Sequence, residues 1–114
     1  MPYIEVKTTK NTSKEQENAL FAALGQAIEL LPGKTEEWLM LNLEGDKHMA
    51  FRGKTNEDMA YLTVALVGKA GAENYEKLTA KLCELCKEIL GIAPDHVYVK
   101  YEEVDYWGWN HRNF

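Results

Sequence analysis

The chain is poor in the residues that would mark several common classes of protein: among its 114 residues are two cysteines, three histidines, three prolines and two arginines. Two cysteines cannot build a disulfide framework. Cys83 and Cys86 are spaced C-x-x-C, but they fall in the middle of an amphipathic pattern rather than at the electropositive helix start that activates a thiol, so packing is their expected role. His48, His96 and His111 share no ligand spacing with one another or with the cysteines, and no metal site is expected. No apolar run approaches the roughly 20 residues of a membrane span, and the N-terminus lacks the basic and apolar regions of a signal peptide. The expectation is a soluble, cytoplasmic protein with no membrane partner. Positive charge is also scarce. Thirteen Lys and Arg face 18 Asp and Glu, a net charge of -5, which excludes a general nucleic-acid binder because phosphate binding needs a basic face.

What is present is an ordinary globular composition, 46% hydrophobic and 27% charged, over a length that predicts one domain spanning residues 1–114. Residues 2–8 alternate, with Ile4 and Val6 on one face and Tyr3, Glu5 and Lys7 on the other, as in a half-buried strand. Ser13 and Gln16 form a capping-box signature ahead of Leu20, Leu24, Ala27, Ile28 and Leu31 at helical spacing, and Pro32-Gly33 ends that helix. Trp38 to Leu43 reads as a strand, Met49 to Arg52 as a short edge strand, and Met59 to Val67 as another strand. A second helix carries the stripe Leu78, Leu82, Leu85 and Ile89 and ends at Gly91, and His96 to Tyr101 forms a last strand. The aromatic tail from Tyr106 to Phe114 is too apolar for a disordered end. One β-α-β unit is thus used twice, each crossover helix implying parallel pairing within its half. Both helices should cover one face of a single sheet, leaving an apolar face that predicts a homo-oligomer.

Met1-Pro2 opens the first strand. An initiator Met is commonly removed before a small residue such as Pro, and the chain then begins with a secondary amine. An α-amino group titrates near 7.7–8.0, and burial or a nearby cation brings it towards neutrality, within the range of a general base.

These elements and residues resemble the macrophage migration inhibitory factor family of the tautomerase superfamily across essentially the whole chain. Its carriers are Pro2, Pro32-Gly33-Lys34, Met49-Ala50-Phe51-Arg52-Gly53, Val67-Gly68-Lys69, the run Leu90 to Asp95, Val97-Tyr98-Val99 and Trp107-Gly108-Trp109-Asn110 to Phe114. The resemblance implies an α+β fold of two β-α-β units with pseudo-two-fold symmetry, one four-stranded mixed sheet covered by two helices, and a homotrimer. It implies cofactor-free keto–enol tautomerisation of small aromatic α-keto acids such as phenylpyruvate, and of dopachrome-type substrates. Pro2 would be the catalytic base, Lys34 would contact the substrate carboxylate, and Val67 would lie beside the proline. Tyr98 would come from the neighbouring subunit with Lys100 on the same strand face, and Trp38, Trp107, Trp109 and Phe114 would wall an aromatic pocket. Read alone, Lys34 is an ordinary loop lysine, Tyr98 a half-buried strand tyrosine and the tryptophans packing residues.

Several positions depart from that family's pattern. Lys100 replaces an asparagine, which predicts a second cation, a lower Pro2 pKa and firmer binding of acidic substrates. Trp38 replaces a tyrosine. Met59-Ala60-Tyr61-Leu62 stands where the animal cytokine has its C-x-x-C motif, so no thiol oxidoreductase activity is carried over, and Ala65-Leu66 replaces a His-Ser pair. A signalling role with vestigial catalysis, and hydration or dehalogenation of an unsaturated acid, remain the alternatives.

Overall fold

The computed structural model describes residues 1–114. Its elements are β1 (Pro2–Thr8), α1 (Lys14–Ala27), β2 (Met40–Glu44), β3 (Ala60–Val67), α2 (Ala72–Leu90), β4 (Val97–Val104) and a small hairpin of β5 (Gly108–Trp109) and β6 (Arg112–Asn113). The main sheet has the order β2-β1-β3-β4. β1 and β2 are parallel, β3 and β4 are parallel, and β1 runs antiparallel to β3, so two β-α-β units join through their first strands.

Local chemistry fixes the helices. The Gln16 amide donates to Ser13 Oγ at 3.1 Å and the Ser13 amide donates to Gln16 Oε1 at 2.9 Å, completing the capping box at the head of α1. Such a cap contributes about 0.5–2 kcal/mol. α2 starts without a side-chain cap and ends at Gly91, whose φ of 70° closes the helix in the left-handed region that glycine adopts without penalty. Ile4, Val6, Leu62, Val64 and Leu66 from the sheet meet Leu20, Leu24 and Ile28 of the first crossover and Leu78, Leu82 and Leu90 of the second, all fully buried or nearly so. Each such side chain contributes about 1.5–3 kcal/mol by leaving water. Cys86 belongs to this core, and burial pushes its thiol up to about 12, far from a reactive thiolate. No helix is long and apolar enough to cross a membrane.

Three expectations need correction. Met49 to Arg52 is not an edge strand: Phe51 and Lys54 form one isolated bridge, exchanging backbone bonds of 2.9 and 3.0 Å around a turn in which Arg52 and Gly53 have φ of 55° and 76°. Four residues with a two-residue turn at their centre leave no length for a strand. Trp38 lies outside β2, at the end of a 3-10 turn (Glu36–Trp38) in which the Leu39 amide donates back to the Glu36 carbonyl at 3.1 Å. Finally, the sheet face away from the helices is mixed rather than uniformly apolar, with Met40, Ala65, Val67, Tyr98 and Val104 sharing it with charged side chains. Period-two alternation places Glu5, Lys7, Asn42, Glu44, Lys100 and Glu102 there among Tyr3, Tyr61 and Thr63. Lys100 pairs with Glu102 at 2.9 Å, Lys7 with Glu5 at 3.5 Å, and Tyr3 donates to Glu5 at 3.0 Å. Met40 and Tyr98 are exposed on this face near its ends, while Trp38, Trp109 and Phe114 are exposed outside the main sheet.

Candidate active site

Pro2 begins β1 at a place where its missing N–H removes no ladder bond. It is buried, and its partner across the antiparallel ladder is Leu66, one residue before Val67 at the end of β3. The chain leaving α1 makes one more 3-10 turn to Leu30, and Gly33 at φ 78° swings it back towards this corner. The Lys34 amide donates to the Leu31 carbonyl at 3.0 Å, and Lys34 Nζ donates to the Val67 carbonyl at 3.4 Å. Lys34 is thereby held against the strand end that flanks Pro2.

Met1 precedes Pro2 in the structure, so the titrating amine here is that of Met1 and stands one residue ahead of the amine that Pro2 would expose. Burial lowers its pKa below the ordinary value, and the Lys34 charge lowers it further. Two recesses meet at this amine. One, of about 300 Å³, is lined by Met1, Lys34, Trp38, Val67 and Phe114. The other, of about 730 Å³, is bounded by Met1, Pro2, Tyr3, Trp38, Trp107 and Trp109, with Glu37 at its edge. Trp38 borders both. Its ring meets Trp109 edge-on, with centroids 5.1 Å apart and planes at 90°, and Trp109 stacks on Phe114 at 6.0 Å. The terminal hairpin aims these rings: Asn110 and His111 take φ of 50° and 72° in its two-residue turn, and the Phe114 amide donates to the Trp107 carbonyl at 3.0 Å.

The corner therefore joins a lowered-pKa amine, one lysine and a wall of aromatic rings. Such a set can move a proton at near-neutral pH while holding a flat anion. Pro2, Lys34, Val67, Trp38, Trp107, Trp109 and Phe114 all come together here. Tyr98 and Lys100 do not. Pro2 is in line with Leu66, and Leu66 with Glu103 of β4, so Tyr98 lies five residues further along that strand, about 16 Å away by strand rise alone. Tyr98 instead borders a second recess of about 300 Å³ with Met49, Phe51, Met59, Ala60, Tyr61 and His96. Sequence reasoning passed over Glu37 and Tyr3 at the Pro2 corner. The signal for Tyr3 was available in its place next to Pro2, whereas Glu37 reaches the recess only because its segment is a 3-10 turn.

A duplicated β-α-β protein whose first strand opens on a buried proline, beside a lysine and an aromatic wall, is the class that fold and site define. The family model described as macrophage migration inhibitory factor (MIF) matches residues 1–112, and the chain belongs to that family. It is 32% identical to mouse macrophage migration inhibitory factor over 119 aligned positions, covering 100% of this chain and 99% of the mouse protein. The fold is also that of Leishmania major MIF2, with a TM-score of 0.92 at 24% identity over 100% of this chain and 97% of that one. A further structure with the same fold, of a protein inactivated by 2-oxo-3-pentynoate, gives a TM-score of 0.80 at 20% identity over 90% and 85% of the two chains.

Proposed function

We propose that the protein is a cofactor-free keto–enol tautomerase of α-keto acids of the phenylpyruvate and hydroxyphenylpyruvate type, able to take dopachrome-type compounds as model substrates and working in the cytoplasm. The observation that carries this reading is the head of β1, where the terminal amine is lowered in pKa beside Lys34 and opens on recesses walled by Trp38, Trp107, Trp109 and Phe114. Once Met1 is removed, the secondary amine of Pro2 becomes the terminal amine, one residue further along the same corner and on the larger recess. In the keto-to-enol direction its neutral nitrogen accepts a proton from C3 as that C–H bond breaks, and the protonated amine then returns a proton to the carbonyl oxygen, giving the enol and regenerating the neutral amine. The reverse sequence regenerates the ketone. Lys34 holds the carboxylate, the backbone at Val67 flanks the reacting carbons, and the rings pack on the aryl group. That a protein of the same fold is inactivated by a 2-oxo acid supports the substrate class.

The assembly we propose is a homotrimer with sites at subunit boundaries, in which a neighbour's Tyr98 and Lys100 complete the Pro2 recess. The support is that Tyr98 is 62% exposed and projects from the sheet end that one chain leaves open. Hydration or dehalogenation finds less support, because the only two arginines, Arg52 and Arg112, line neither recess at Pro2. Similarity to the mouse factor favours signalling as a second reading, and receptor binding by a catalytically silent Pro2 variant would support it. The direct test of tautomerisation is enol absorbance of phenylpyruvate with wild type and Pro2→Gly. Equal rates would remove the amine from the mechanism.

A further inference from the structure

His96 closes the 3-10 turn (Pro94–His96) that leads into β4 and uses both ring nitrogens. Nδ1 lies 2.9 Å from Asp95 Oδ1, and Nε2 bonds a carboxylate oxygen of Glu57 in the segment between β2 and β3. The same ring meets Phe51 at 5.6 Å between centroids, and Phe51 in turn meets Tyr98 edge-on at 5.2 Å and 85°. The chain of contacts therefore runs from two carboxylates through an imidazole and a phenyl ring to Tyr98. Other charged groups border it. Arg52 lies over the Phe51 ring at 4.9 Å and is close enough to Asp95 to favour its ionised form. Asp58 shares a shallow recess with Glu57 and His96 and is paired with Lys10. The segment that follows α2 adds Gly91, Ile92 and Ala93 to that recess, none of them charged.

We propose that His96 is a positioning residue: held between Asp95 and Glu57, it fixes Phe51 against Tyr98 and so sets the direction in which Tyr98 projects towards a substrate. This rests on the reading that Tyr98 serves the substrate of a neighbouring subunit. The clamp needs a cation. With both nitrogens protonated, the ring donates to both carboxylates, while the neutral ring turns one lone pair towards a carboxylate and loses that bond. Hydrogen bonds donated to Asp95 and Glu57 raise the His96 pKa above its ordinary value of 6.5, so the clamp is closed below that raised midpoint and opens as pH rises through it.

The test is a pH titration of the full chain by NMR, following the rings of His96, Phe51 and Tyr98, combined with phenylpyruvate kinetics. Phe51 and Tyr98 should shift with the His96 midpoint, and in Glu57→Gln that midpoint should fall. His96→Gln should raise KM by about two- to ten-fold with kcat nearly unchanged, the factor that one aromatic edge contact carries. His96→Arg, a cation at every pH, should restore KM and remove its rise at alkaline pH. A Tyr98 ring that ignores the His96 titration, or a wild-type KM in His96→Gln across the pH range, overturns the proposal. Absence of turnover in the wild type would instead overturn the tautomerase reading, and the NMR titration would still decide whether the clamp exists.

Discussion

At one end of the sheet β1 opens with Pro2 beside Trp38 and Trp109, and at the other β3 opens with Ala60 beside Phe51, His96 and Tyr98. The backbones match. In each half a 3-10 turn, ending in Trp38 or His96, feeds the strand that pairs in parallel with the half's first strand. Each corner also has its own tight turn, Trp107 to Phe114 at the first and Phe51 to Lys54 at the second. The antiparallel pairing of β1 with β3 sends the two corners to opposite edges. Duplication thus produces two recesses, but an α-amine exists only at a chain terminus. Ala60, in the interior of the chain, offers an amide where Pro2 can offer a base. The second corner carries instead a histidine held between two carboxylates and an exposed tyrosine.

Lys34→Ala gives the largest contrast between the corners. Losing one charge-assisted contact costs about 1.5–3 kcal/mol, so KM for phenylpyruvate should rise about 10- to 100-fold, while Lys54→Ala at the other corner leaves steady-state kinetics unchanged. Comparable effects of the two substitutions would erase the distinction. Trp109→Ala removes the ring that bridges Trp38 and Phe114 and should raise KM by about ten-fold or less, with little loss of kcat.

A pH–rate profile sharpens the electrostatic side of the comparison. The Pro2 amine works as a base only when deprotonated, and burial with Lys34 nearby lowers an α-amine below its ordinary range of about 7.7–8.0, so kcat/KM should rise with pH through a midpoint below that range. Lys34→Ala should move the midpoint upwards, and Lys100→Asn should do so if a neighbour's Lys100 reaches Pro2. At the other corner the sign reverses. The His96 pKa is raised, so its contribution to stability is fully present below about 6.5 and is lost as pH rises through the raised midpoint. Thermal denaturation of wild type and His96→Gln should therefore differ at acid pH and converge at alkaline pH. Gly25→Ala should have the smallest effect. An added Cβ would meet Glu36 Oε2 at 2.0 Å, but that carboxylate can swing away, and alanine is the better helix former. Unfolding in denaturant should place the variant within about 1 kcal/mol of wild type.

Strong periodicity made both helices, β1, β3 and β4 legible in the sequence, and the resemblance placed Pro2, Lys34, Val67 and the aromatic residues at one corner. The failures share a physical cause. Met49 to Arg52 has the composition of a strand, yet the turn at Arg52-Gly53 reverses the chain at once. The charged part of the outer sheet face was visible in Glu5, Lys7, Glu44 and Lys100 taken singly, but only the register puts them on one surface. The separation of Tyr98 and Lys100 from Pro2 within one chain is not such a failure, since the resemblance assigned Tyr98 to a neighbouring subunit; it follows from β1 running antiparallel to β3, a pairing between distant segments that no local pattern encodes.

The central claim is that a free Pro2 amine is the base, and it is tested most directly by comparing two forms of the same chain whose N-termini are established by intact mass. One retains Met1, leaving the proline nitrogen an amide, and the other begins at Pro2. The account predicts phenylpyruvate tautomerisation in the processed form and a loss of about 10²–10⁴-fold in the form that keeps Met1, the range attributed to a general base. Equal activity in the two forms would contradict it.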